Sequence, residues 1–439
     1  MMFKYTVRMT EILERLKFVP FVAMLTAFPF CPPANSQDWA RTKISCLQRV
    51  DLRDLGYPGV NEIPENSSAI TSLITAHTGL IYGATTGDEA WLFVFDPAIN
   101  KVRHLGRIPG QESVHHAIVE DKRGNIYIGT GKNMFREITI SEGGIGEEET
   151  MDKSLWNDVR NHFSDYVGGH LYVYSPERSN MKVKTGEDTC ELEDLGIPVA
   201  YNSIYALCIG PSGEEIYGIS YPDGHFFIYG ISSKKLRDMG TIDDKIVFHG
   251  PERYWRSLSR DLVCDNSGRV YFSSTNGILR YYDPSEGKFG STGLVIPGDY
   301  YYLQFYEDYA VVDYFAKDQS GLIYGGTSDG YLFSFDPGKG KLTNIGKVRS
   351  SRRLRCLTVA SDSKVYLMAG ERSSSRPCQF YSYDPSSGGF EDLGLLIVDR
   401  SPYYYWRGQQ FDAMVTGNDG TIYLGESERR SHLFLYIPQ

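Results

Sequence analysis

Cysteine is scarce in this 439-residue chain: there are seven, with no CxxC spacing. That excludes a dense disulfide scaffold and a thiolate metal knuckle. Long hydrophobic runs are missing as well. The most apolar stretch, FVPFVAMLTAFPF at residues 18–30, falls short of the roughly 20 residues a spanning helix needs, so no membrane span is expected. HxH and HExxH patterns are absent, which removes a common signature of a histidine-held catalytic metal. Positive charge is in deficit too, with 45 Lys and Arg against 55 Asp and Glu for a net charge of −10. Such a surface repels nucleic-acid phosphates and anionic membranes, and an anionic ligand can bind only where basic residues gather locally.

What the chain has in quantity is glycine (45) and tyrosine (32), the mixture of turn and strand formers expected of an all-β protein. Lys4, Arg8, Arg15 and Lys17 precede the apolar run, and Ala34 and Ser36 follow it at cleavage-compatible spacing. Residues 1–36 therefore read as a signal peptide, and the remainder as a secreted or periplasmic monomer. The six cysteines beyond residue 36 read mostly as buried thiols, with export leaving room for one or two bridges.

One unit recurs seven times. Its middle is a turn followed by a Tyr-bearing strand, as in KRGNIYIGT, NSGRVYFSST, QSGLIYGGT and NDGTIYLGE. The next strand often ends in Asp-Pro (LFVFDP, LRYYDP, LFSFDP, FYSYDP), and the last strand ends in Gly (KVRHLG, KLRDMG, KLTNIG, FEDLG). The seventh copy stops before that last strand, whereas RVDLRDLG at residues 49–56 supplies a matching strand ahead of the first copy. A ring closed by the N-terminal strand explains both ends and leaves no open sheet edge. The expectation is a seven-bladed β-propeller over residues 37–439, four strands per blade, with a 131–170 insertion in the second blade.

In a propeller the first strand of each blade descends along the central axis, so the loops preceding it share one face with the insertion, where function is expected. Counting back eight residues from each turn glycine, or its equivalent, gives an innermost ring of Thr71, His116, Tyr205, Arg260, Asp313, Cys356 and Asp412. Two residues on, Leu73, Ile118, Leu207, Leu262, Phe315, Thr358 and Met414 form an apolar layer. Three residues before the ring lie Ser68, Ser113, Asn202, Ser257, Ala310, Arg353 and Gln409. His115 and His116 thus project near the axis beside Tyr205, while Asp313 and Asp412 are available as ion-pair partners for Arg260 and Arg353. The segments RYWRSLSR and YYYWRGQQ add Tyr254, Trp255, Arg256, Trp406, Arg407 and Gln410 from the upper loops. Aromatic platforms beside arginines suit sugar rings bearing carboxylates, which makes an acidic polysaccharide or oligosaccharide the expected partner.

The repeat over residues ~45–439 and the funnel His, Tyr and Arg resemble secreted seven-bladed polysaccharide lyases, the ulvan, oligogalacturonate and rhamnose-glucuronate lyases. The blades also resemble NHL-type propellers, streptogramin lyases and gluconolactonases. The lyase resemblance implies cleavage of a uronate glycan by β-elimination. His116 (or its neighbour His115) is the implied base, Tyr205 the acid, and Arg260 and Arg353 the carboxylate clamps. No cofactor is required on this reading, which leaves room for a structural divalent metal. A gluconolactonase-like site would instead bind a metal through Asn202, Asp313 and Asp412. A non-catalytic carbohydrate- or protein-binding propeller remains the alternative from another functional class.

Overall fold

The computed structural model describes the strands Thr42–Lys43 and Asp51–Asp54 and then residues 63–133, 163–177, 189–242, 258–274, 277–299, 301–303, 306–308, 310–348, 353–370, 378–400, 402, 404–428 and 430–438. The signal-peptide assignment, most of the 131–170 insertion, and Tyr254, Trp255, Arg256 and Ser257 lie outside the described residues.

Seven antiparallel sheets follow one another along the chain, each opening on an innermost strand: Ala69–Thr75, Ile118–Glu120, Ser203–Ile209, Val263–Cys264, Val312–Lys317, Leu354–Val359 and Phe411–Thr416. Six sheets are four-stranded meanders. The seventh is completed from the other end of the chain, as the repeat arithmetic predicts: Leu52 pairs with Tyr436, Arg53 with Leu435 and Asp54 with Phe434. A short strand outside it, Thr42–Lys43, extends this blade to five. Two additional hairpins, Tyr301–Leu303 with Tyr306–Asp308 and Ile397–Arg400 with Tyr404–Arg407, are inserted before the fifth and seventh innermost strands.

The recurring turn has a specific chemistry. In blade 2 the Asp121 carboxylate accepts the backbone N–H of Arg123 (2.8 Å) and Asn125 (2.9 Å), and the Tyr127 hydroxyl donates to the same side chain (3.3 Å). Asp265 does the same with Ser267, Arg269 and Tyr271 in blade 4. The turn Asp is an Asx-type template, and in blades 2, 4, 6 and 7 the hydroxyl of the strand Tyr ties the strand to a turn Asp. The glycine after that Tyr is forced by packing: a Cβ on Gly218 would stand 2.2 Å from the Phe227 ring, and one on Gly83 would stand 2.1 Å from Phe93.

Between blades the core is aromatic. Phe226, Phe272 and Tyr282 join blades 3 and 4, and Phe380, Phe411 and Phe434 join blades 6 and 7. Cys190, Cys208, Cys264, Cys356 and Cys378 are buried free thiols, with the Cys208 and Cys264 sulfurs 3.3 Å apart across the blade 3–4 seam.

Candidate functional site

In five blades the innermost strand slips register at one level, at Thr71, Tyr205, Asp313, Arg355 and Asp412. A bulge leaves its extra residue outside the ladder, and this one recurs at the same depth of the funnel. His116 and Arg260 hold the same level just ahead of their strands. Backbone bonds cross between blades here: His116 N donates to Thr71 O (3.3 Å), and Leu207 N donates to His116 O (3.1 Å).

Blade 6 corrects the register expected from sequence. Arg355, not Cys356, is the ring residue, and Leu357 rather than Thr358 lies beneath it. Ser363 takes the left-handed turn position there (φ 65°), the role filled by glycine in the other blades. The bond from Ala360 N to Lys364 O is the counterpart of the one from Asp121 N to Asn125 O. Cys356 instead lies in the interblade core, its thiol 3.6 Å from Phe411 O. Counting back three residues from the strand tyrosine, Tyr366, finds the true turn position.

The ring collects charge. Arg260 and Arg353 both grip Asp313, Arg353 through Nε at 2.8 Å and Nη2 at 3.3 Å, and Arg260 through Nη1. Arg355 holds Asp412 through Nε at 2.7 Å, and Gln410 (3.0 Å) and the Ser427 hydroxyl (2.5 Å) donate to the other carboxylate oxygen. Burial alone would raise both carboxylates, but the guanidiniums reverse that and hold Asp313 and Asp412 below the ordinary carboxylate range. Burial also opposes the charge on Arg260, yet Asp313 and then Tyr205 overcome it and raise its pKa. Arg353 is the strained member: burial, then repulsion from Arg260 and Arg355, lowers its pKa, and its backbone is left-handed (φ 68°). Three guanidiniums against two carboxylates leave one positive charge in excess among the described ring residues.

The two histidines differ. His116, also left-handed at φ 45°, has Nδ1 3.1 Å from Arg260 O and Nε2 2.9 Å from Asp412 O, so it bridges blades 4 and 7 across the axis. His115 stacks on His116 (4.1 Å) and lies almost parallel to Tyr205 (4.6 Å, 8°). Its Nδ1 is 3.2 Å from Tyr205 O. That carbonyl can only accept, so Nδ1 carries the hydrogen and Nε2 is the basic nitrogen. Burial lowers the pKa of both rings, that of His115 most, while Asp412 and the carbonyls at both His116 nitrogens work against burial on that ring. Positive φ in non-glycine residues concentrates at functional sites, and two of the six instances among the described residues are His116 and Arg353.

Below the ring lies a carboxyl that the sequence did not single out. Asp261 accepts the backbone N–H of Leu262 and of Phe315, both at 2.8 Å. These bonds favour the charged form, yet burial outweighs them and pushes its pKa up to about 7.

Apart from Gln410, the other expected site residues among those described are placed away from the ring. Asn202 spends its amide on Ala200 O (3.0 Å) and Asp223 (2.9 Å), bracing the upper turn of blade 3. Gln410 reaches Asp412. Trp406 and Arg407 lie on the hairpin before blade 7 and line a cleft with Tyr405, Gln409 and Glu426. At the root of the insertion, Phe163 is buried against Tyr166 and Tyr221 and so anchors that end beside Tyr205, which itself packs on Tyr221 (5.2 Å). Among the described residues no three His, Cys, Asp or Glu side chains are grouped to hold a metal ion. Asp313 and Asp412, two of the ligands a gluconolactonase-like site would use, are each occupied by arginine.

The family described as two component regulator propeller matches residues 108–132, a stretch that contains both histidines. No curated protein sequence matches the chain. Among solved structures, a streptogramin B lyase superposes with a TM-score of 0.56 at 10% identity, covering 88% of this chain and 96% of that one. The extracellular domain of a one-component system from B. thetaiotaomicron gives 0.52 at 14% identity, over 89% of this chain and 40% of that one. A fungal alcohol oxidase in complex with copper gives 0.53 at 12%, over 91% and 76%. At these identities the likeness is one of fold, and the chain is a seven-bladed β-propeller similar to enzymes and to an extracellular regulator domain alike.

Proposed function

We propose that the chain acts outside the cytoplasm on an acidic glycan at the axial mouth and cleaves it by β-elimination. The observation that carries this reading is the surplus cation beside the stacked His115–Tyr205 pair. Arg260 and Arg353 keep side-chain exposures of 24% and 19%, against 4% for Arg355, so they are the arginines with donors accessible to a uronate carboxylate. Binding it relieves the repulsion among the three guanidiniums and lowers the cost of drawing a proton from the carbon next to that carboxylate. His115 Nε2, unprotonated at neutral pH, takes that proton. The electron pair left behind forms the carbon–carbon double bond as the glycosidic oxygen departs, and that oxygen is protonated by the Tyr205 hydroxyl. His116, with both nitrogens on backbone carbonyls, serves better as the wedge that holds His115 against Tyr205 than as the base itself. Acid–base transfer of this kind contributes roughly 10²- to 10⁴-fold.

A second reading is a non-catalytic glycan-binding propeller, favoured by the regulator-propeller match at residues 108–132. Both readings use the same arginines. Incubation with a panel of uronate-containing polysaccharides, followed by ultraviolet absorbance of the unsaturated product, separates them. Turnover lost in His115→Ala with binding retained is expected. Calorimetric binding of an acidic glycan with no unsaturated product from any of them would reject elimination and leave the binding module.

A further inference from the structure

We propose that the cleft beside blade 7 is a separate subsite for a neutral pyranose unit, so that the glycan engaged by this protein pairs an acidic residue at the axis with a neutral one at the rim. The proposal rests on the axial reading for the acidic half only. The cleft holds about 480 Å³, within the roughly 300–1,000 Å³ of small-ligand sites. Its walls are Tyr405, Trp406, Arg407 and Gln409 from the hairpin segment, Glu426 from the end of the blade's second strand, and Glu428 and Arg430 from the loop that follows it. None is aliphatic, which argues against a lipid tail or an apolar peptide. Arg430 is already paired with Glu65 (2.6 Å), which leaves Arg407 beside Glu426 and Glu428, so the cleft lacks the net positive charge that the axial ring has and offers no pull on a polyanion. Aromatic faces combined with planar side chains of both signs suit a ring that has one apolar face and a rim of hydroxyls.

The aromatic pair is arranged for this use. The Trp406 indole N–H donates to both oxygens of Glu426 (3.0 and 3.2 Å), and the ring packs on His432 at 4.5 Å. Glu426 is wholly buried and receives the backbone N–H groups of Gln409 (3.4 Å) and His432 (3.2 Å). A buried carboxylate thus fixes the plane of Trp406, while its neighbour Tyr405 is left 57% exposed. The walls of the cleft are tied to the axial ring. Gln410 and Ser427, adjacent in sequence to the cleft residues Gln409 and Glu426, both donate to Asp412 of the ring.

The test uses the full chain with neutral xylo-, cello- and manno-oligosaccharides as probes, tryptophan fluorescence and calorimetry as readouts, and polygalacturonate as the acidic probe. At least one neutral oligosaccharide is expected to perturb the fluorescence, and Tyr405→Ala to weaken it roughly tenfold. Tyr405 is exposed enough for that variant to fold. Arg260→Ala should leave neutral binding unchanged. If no neutral probe binds the folded protein, or if its binding survives Tyr405→Ala undiminished, the subsite is overturned. Polygalacturonate binding that is lost in Arg260→Ala reports separately on the axial reading, so either half can fail without the other.

Discussion

The two acidic members of the axial ring are built alike and behave differently. Asp313 and Asp412 both sit on bulges of innermost strands, are both buried, and are both held below the ordinary carboxylate range by arginine. Asp412 is sealed: its one direct guanidinium partner, Arg355, is itself buried, and Gln410 and Ser427 fill the second oxygen. Asp313 is shared by two arginines that still reach solvent, one of them strained and electrostatically crowded. A balanced buried pair is a structural clamp, whereas an over-supplied, part-open one is a place for an additional anion.

The largest effect is expected on the sealed side. Asp412→Ala strands Arg355 without a counter-charge and should cost about 3–5 kcal/mol of folding stability, read as a large fall in the chemical-denaturation midpoint. Asp313→Ala should cost less, and its loss should be partly restored by an added acidic oligosaccharide. Equal losses with no rescue in either variant would erase the distinction.

Next comes pH. Asp261 has a folded pKa of about 7 against an ordinary 3.8, so the folded chain keeps a proton that the unfolded chain has released. Its contribution to stability therefore falls as pH rises from about 4 to about 7 and is level above that. Urea unfolding at stepped pH should display that decline, and Asp261→Asn should flatten it whatever the variant costs in absolute stability. An unchanged slope would mean that Asp261 is ionised throughout.

On the open side the effect should appear in binding rather than folding. Arg260→Ala and Arg353→Ala should each weaken an acidic glycan by about 1.5–3 kcal/mol, the range for a charge-assisted contact, with thermal midpoints close to the parent. Arg355→Ala should reverse the pattern, losing stability first. Calorimetry and thermal melts on the three variants side by side decide it.

The smallest effect should come from an ion pair of the same chemistry placed on the periphery. Arg269 and Asp283 join at 2.9 Å in blade 4, with Arg269 side-chain exposure of 43%. The hydroxyl of Ser285 first, then Arg269, lower the Asp283 pKa to about 2. Its contribution is present above the ordinary carboxylate pKa and fades as pH falls toward 2. Exposed pairs contribute little, so Arg269→Ala should barely move the melting curve at pH 7. A loss as large as that of Asp412→Ala would show that burial is a poor guide to the worth of an ion pair in this fold.

Much of the fold was legible because a repeat averages out local ambiguity. Seven copies of a turn, a Tyr strand and a following strand that ends in Asp-Pro four times fixed the blade count, and the missing strand at one end with a spare at the other gave the closure. The site was legible only where the repeat ran true. His116, Tyr205, Arg260, Asp313 and Asp412 were found by counting from a glycine, while Arg355 was missed because Ser363 stands in for that glycine. Asp261 carries no sequence signal at all, since an aspartate in a repeat of turn aspartates looks unremarkable until its burial is known. The hairpin at Tyr404–Arg407 was read as a loop because its aromatic run has no period-2 alternation to mark it.

The sequence by itself determined the architecture, since strand periodicity, turn chemistry and chain closure are local or additive properties that survive without coordinates. Only the tertiary structure decided which carboxylate meets which arginine, which nitrogen of His115 is basic, and that Trp406 belongs to a cleft rather than to the axis. The ring contacts depend on a one-residue bulge at the top of five of the seven innermost strands. Such a bulge changes what faces the axis and how deeply it is buried, and burial and charge proximity, unlike periodicity, exist only once distant segments have been brought together.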